Sequence, residues 1–158
     1  MSRTTLSWLV AVGLLLASLS AQAQNTLMAR SPQGFEVAMQ QLQTTLKEYG
    51  YAVAHIQKCD GGMTQFGYNS DFYRVVFFGK IEETRRLSKD YPQLVPYLPL
   101  KILLFAENDE TVFVALNPLE LGQYYQEPEL LVQFMRWHND LRSMFDELHD
   151  SKPVVAAK

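Results

Sequence analysis

The chain contains a single cysteine, Cys59, among 158 residues. That excludes a disulfide-stapled miniprotein, in which several bridges substitute for a core. Basic charge is scarce as well, since 14 Lys and Arg face 17 Asp and Glu for a formal net charge of −3. A surface that holds nucleic acid concentrates cations, so no nucleic-acid partner is expected. No predicted strand runs into a glycine-rich phosphate loop, which argues against a doubly wound nucleotide fold. There is no C-x-x-C-H motif for covalent haem attachment, and Ser70, Ser88 and Ser143 lie in no G-x-S-x-G elbow. What is present, 47% hydrophobic and 20% charged residues, suits one globular domain and not a disordered tail.

The N-terminus reads as a targeting segment. Arg3 precedes an apolar run from Leu6 to Leu19, and Ala21-Gln22-Ala23 follows. A basic start, a short apolar middle and an A-x-A site predict a signal peptide over residues 1–23, cleaved between Ala23 and Gln24. The run is shorter than the roughly 20 residues a membrane-spanning helix needs. The expectation is an exported, periplasmic protein with no membrane span after cleavage. Residues 24–150 form one domain long enough to bury roughly two-thirds of its unfolded surface. Residues 151–158 lack periodicity and read as a flexible tail.

Along the remainder, Thr26–Arg30 suits a short edge strand. Ser31-Pro32 is expected to open a helix, as N-cap and first helical residue. Phe35, Met39, Leu42, Leu46 and Tyr49 share one helical face, and Gly50 ends it. Tyr51 to Gln57 alternates as a strand, with Tyr51, Val53 and His55 on one side. Tyr73 to Phe78 is apolar on both faces except Arg74, which predicts a central strand covered twice. A short helix follows, with Glu82 and Glu83 early and Lys89 late. Ile102–Ala106 and Thr111–Leu116 flank a hairpin turn, and Asn117-Pro118 ends the second strand. Pro128 opens a last helix with a stripe of Leu130, Phe134, His138, Leu141, Phe145 and Leu148. The predicted class is α+β, a two-layer sandwich of a mainly antiparallel sheet with helices packed mostly on one face.

Tyr73-Arg-Val-Val-Phe-Phe-Gly79, the helix after it, Tyr97-Leu-Pro99-Leu-Lys-Ile-Leu-Leu104, the hairpin and Ala115-Leu-Asn-Pro118 together resemble the bacterial family called domain of unknown function 302. The opening helix ending at Glu48-Tyr49-Gly50-Tyr51 fits the same pattern. The resemblance spans about residues 25 to 120. It implies a small α+β domain that often associates and has no established reaction. Many members carry one cysteine at the start of the second helix and another after the proline of the next strand. Gly79 and Leu100 hold those places here, so the resemblance brings a structural framework of Gly50, Pro99 and Pro118 and no catalytic residue.

Cys59, with His55 and Met63 four residues to either side, offers a soft ligand set. Such donors, with His138, suit copper or the iron of a haem. On a straight strand His55 and Cys59 stand about 13 Å apart by strand rise, so one metal requires the chain to turn between them. Cys59 equally suits a buried apolar side chain, an exposed thiol or an intermolecular disulfide. His138 and His149 suit packed rings with one hydrogen-bonded nitrogen, or an axial ligand or pH switch. Arg136 and Trp137 read as surface contacts. Paired acids at Glu82-Glu83 and Asp109-Glu110 sit where solvated charge is expected. Tyr124-Tyr125 is the preferred interaction element, because two neighbouring loop tyrosines do not both fit inward. The expected function is a non-catalytic exported module without a cofactor, probing a small apolar ligand or a protein partner as a homodimer. The alternative is a haem or copper protein using His55, Cys59, Met63 and His138. A hydrolase stands third.

Overall fold

A computed structural model describes residues 25–59, 66–67 and 72–151. The expected signal peptide over residues 1–23, Met63 and the expected tail after Ser151 lie outside the described residues. In chain order the elements are β1 (Thr26–Ser31), α1 (Phe35–Glu48), β2 (Ala52–Lys58), β3 (Tyr73–Gly79), α2 (Ile81–Asp90), a 3-10 turn (Pro92–Tyr97), β4 (Leu100–Glu107), β5 (Glu110–Leu116), a second 3-10 turn (Pro118–Gln123) and α3 (Pro128–His149). The five strands form one antiparallel sheet in the order β1-β5-β4-β3-β2. The fold is α+β.

Register separates the two sheet faces. Leu27, Phe113, Leu104, Ile102, Val76 and Phe78 share one face and are all buried. Phe35, Ala38, Leu42 and Leu46 of α1, with Leu130, Phe134, Leu141, Phe145 and Leu148 of α3, complete that layer. Each such side chain removed from water contributes roughly 1.5–3 kcal/mol. The opposite face carries Met28, Leu103, Val114, Val75 and Phe77 by the alternation of the ladder. It is apolar yet partly wet: Met28 and Leu116 are 59% and 47% exposed.

Four expectations require correction. Ser31 does not cap α1; it is the last residue of β1, fully buried, and its Oγ accepts from the Gln33 amide at 3.3 Å. Ladder pairing of Ser31 with Thr111 outweighs local capping preference, and the helix begins after Gly34. β3 is not the central strand, a place held by β4, and Tyr73, Val75 and Phe77 are only half-buried. β2 does not alternate cleanly, because a bulge between Val53 and His55 shifts the register and turns both Val53 and Ile56 towards the helices. Trp137 is not a surface residue but lies 2% exposed in the core. Two turn readings hold: Gly50 ends α1 with φ of 77°, and Asn108 takes φ of 56° in the β4–β5 turn.

Candidate functional site

The histidines and cysteine singled out above lie on separate elements. His55 is on the exposed side of edge strand β2, its Nε2 3.3 Å from Gln57 Oε1 and its ring 6.0 Å from that of Phe77. Cys59 follows the strand, and its Sγ donates weakly to the Gln57 carbonyl at 3.8 Å. His138 is on α3, with Nδ1 2.9 Å from Asn117 Oδ1. Two strands, β3 and β4, lie between β2 and β5, whose end carries Asn117, which places His55 and His138 in different regions of the molecule. Among the described residues no three His, Cys, Asp or Glu side chains gather as a metal site. Gly79 and Leu100 sit on the adjacent strands β3 and β4, where a Cβ on Gly79 would meet Thr84 Oγ1 at 2.6 Å.

Tyr124 and Tyr125 divide. Tyr124 is 74% exposed, whereas Tyr125 is packed against the core. The Tyr125 hydroxyl donates to the Gln93 carbonyl at 3.1 Å, and its ring meets Tyr97 edge-on at 6.1 Å. Tyr125 thus ties the segment before α3 to the first 3-10 turn, leaving Tyr124 as the exposed member of the pair.

The densest polar constellation joins α2, α3 and the start of β2. Asp140 Oδ2 accepts from the Tyr51 hydroxyl and from Arg136 at 3.2 Å, and Lys80 Nζ stands 4.0 Å away. Arg136 also pairs with Glu83, whose other oxygen accepts from the Trp137 indole N–H at 3.0 Å. Lys80 lies 4.7 Å from the centre of the Tyr51 ring, a cation over an aromatic face. Burial, and then the Asp140 carboxylate, push the Tyr51 phenol well above its ordinary range. Arg136 thus bridges Glu83 and Asp140 while Lys80 stands at the edge of the group, an arrangement that fixes α2 and α3 to the sheet edge. Sequence reading placed Glu83 on a solvated helix start and missed this network. The available signal was Trp137 itself, four residues before Leu141 and three after Phe134.

An enclosed apolar opening lies where β4 and β5 part. β4 pairs with β3 from Leu100 onward, but joins β5 only from Leu103 opposite Val114. Beyond that pair, Leu116 keeps only its match to Thr26 of β1. The divergence leaves a slot of about 190 Å³ lined by Tyr97, Leu100, Lys101, Leu103, Leu116, Pro118, Leu121 and Leu141. Leu141 of α3 comes from the helical layer, while Leu103 and Leu116 belong to the open face. Lys101 is exposed, donates to the Pro96 carbonyl at 3.4 Å and stands 5.9 Å from the Phe77 ring centre. Such a space fits an apolar body about the size of one aromatic ring, since a cavity of roughly 150 Å³ holds benzene.

Comparison with known proteins gives one family. The sequence model described as "Domain of unknown function DUF302" matches residues 28–148. A similar solved structure is that of an uncharacterized conserved DUF302 protein from Bacillus stearothermophilus, 17% identical, with a TM-score of 0.70. The match covers 80% of this chain and 99% of that one, and at this identity it shows the shared fold. No curated protein matches the chain. The family match extends through most of α3, beyond the residues on which the resemblance was first read.

Proposed function

The chain belongs to the family described as domain of unknown function DUF302, and we propose that it is a non-catalytic exported module that binds a small apolar ligand and associates as a homodimer. The slot between β4 and β5 carries this reading. Its walls are mostly apolar and come from five separate elements, so the cavity is a product of the fold and not of one loop. Pockets with an apolar lining and few polar groups bind by excluding water, with the polar group setting orientation. Lys101 supplies that group, so the ligand presents an acceptor at the mouth and a ring or short branched chain inside.

Export is supported by the pattern of residues 1–23, and association by the uncovered apolar face that Met28 and Leu116 share. Toluene, which tests the apolar slot alone, and benzoate, which adds an acceptor for Lys101, titrated into ¹⁵N-labelled protein, are expected to shift the amides of Lys101 to Leu103 and of Leu116. Leu103→Phe, which fills the slot, is expected to remove the response while the rest of the spectrum stays folded. Absence of localised shifts up to the solubility of both probes would falsify ligand binding. Light scattering behind size exclusion tests the dimer, and a strictly monomeric species at micromolar concentration removes that part.

A further inference from the structure

A different feature is the outer margin of β1, the edge strand of the sheet. The Asn117 amide donates to the Asn25 carbonyl at 3.0 Å, directly opposite in the β1–β5 register. In an antiparallel ladder, bonded and non-bonded pairs alternate, so Leu27 and Ala29 turn their peptide groups towards β5. Thr26, Met28 and Arg30 therefore turn theirs outward. The Arg30 carbonyl confirms the direction independently, because the His149 ring reaches it from outside at 2.9 Å. The outward peptide groups of Thr26 and Met28 have no partner among the described residues.

Between this margin and the last turns of α3 runs a groove of about 470 Å³. Leu27 and Phe145 contribute apolar wall, and Arg142, Asp146 and His149 the polar one. Arg142 is exposed and has no ion pair among the described residues, whereas Arg30 is paired with Glu107 and Glu110.

We propose that this groove accepts an extended peptide of a partner protein as a sixth strand on β1, with a carboxylate side chain of that peptide facing Arg142. Backbone groups of Thr26 and Met28 supply the ladder, which gives affinity independent of sequence. The guanidinium supplies preference, since it binds a carboxylate through a charge-assisted hydrogen bond. The alternation of a strand brings every second side chain of the guest towards the Leu27–Phe145 side.

Fluorescence polarisation with the labelled peptide TVEVTV tests the site on the whole chain. Arg142→Glu, on the exposed side of α3, is expected to weaken binding by about tenfold or more, as is exchange of the peptide's glutamate for lysine. Methylating alternate backbone nitrogens of the peptide should abolish binding, a loss that a merely electrostatic contact would not show. Met28→Pro removes an outward N–H without touching the β5 ladder and should act likewise. No binding by the parent peptide overturns the proposal, as does equal affinity for the methylated one or for Arg142→Glu protein. If Met28→Pro instead turns a dimer into a monomer and no peptide binds, the margin serves a second copy and the peptide assignment is wrong.

Discussion

The hydroxyl of Tyr51 donates to Asp140 Oδ2 at 2.6 Å, across 89 residues of sequence. The bond ties the third residue after α1 to the middle of α3, and Arg136 and Lys80 approach the same carboxylate oxygen. Tyr51→Phe leaves that carboxylate short of a donor and is expected to lower stability by about 1–2 kcal/mol. Combined with Asp140→Asn, the loss should fall short of the sum of the single changes, because both act on one network. Urea unfolding of the four proteins measures the coupling.

Trp137→Ala is expected to cost about 3–5 kcal/mol, through the space it vacates beside Phe134. Trp137→Phe keeps most of the packing but leaves a Glu83 oxygen without the indole N–H, so a smaller loss of about 1–3 kcal/mol is expected. Equal thermal midpoints for wild type and Trp137→Phe would show that the hydrogen bond adds nothing to the packing.

The two neighbouring tyrosines should behave differently. Tyr124→Ala is expected to change stability by less than about 0.5 kcal/mol, as for most exposed positions. Tyr125→Ala removes the contacts with Tyr97 and Phe134 and the bond to Gln93, and its melting temperature should drop clearly. If association depends on this loop, Tyr124→Ala weakens it without that drop.

Acid should weaken the fold through His138. Burial, and secondarily the charge of Arg142, hold its pKa below the ordinary histidine value. The unfolded chain then takes up the proton first as pH falls, so the histidine's contribution is complete above about pH 6.5 and lost as pH drops towards the folded-state pKa. His138→Gln should flatten the change in urea midpoint between neutral and mildly acidic buffer. Arg142→Gln should flatten it in part, by letting the folded-state pKa rise.

Where the sequence is read through local pattern, the outcome depends on how local the cause is. The β4–β5 hairpin and the ends of α1 and α3 follow from Asn108, Gly50 and Pro128, each acting on its own backbone. The stripe on α3 was drawn one position off at its middle: Leu130, Phe134, Trp137 and Leu141 step by four, three and four into the core, while His138 stands beside it. The bulge in β2 escapes an alternation argument, because an extra residue leaves the composition of the strand unchanged. β3 looks doubly covered since Val75 and Phe77 are apolar, yet a side chain's type does not say whether anything lies over it. The slot is less legible still: it exists because the ladder between β4 and β5 stops at Leu103 and Val114 while each strand keeps its other neighbour, a property of pairing and not of any residue. The free side of β1 likewise needs the register before Thr26 and Met28 can be told from Leu27 and Ala29.

The contact of Ser31 Oγ with Ser151 Oγ at 3.2 Å joins the end of the first strand to the residue beyond the last helix. During synthesis, therefore, the strands emerge from the ribosome well before α3 can cover Phe113 and Leu27. Until about residue 149 is free of the exit tunnel, the nascent chain holds an oily surface that α1 covers only in part, and a chaperone has its longest opportunity there.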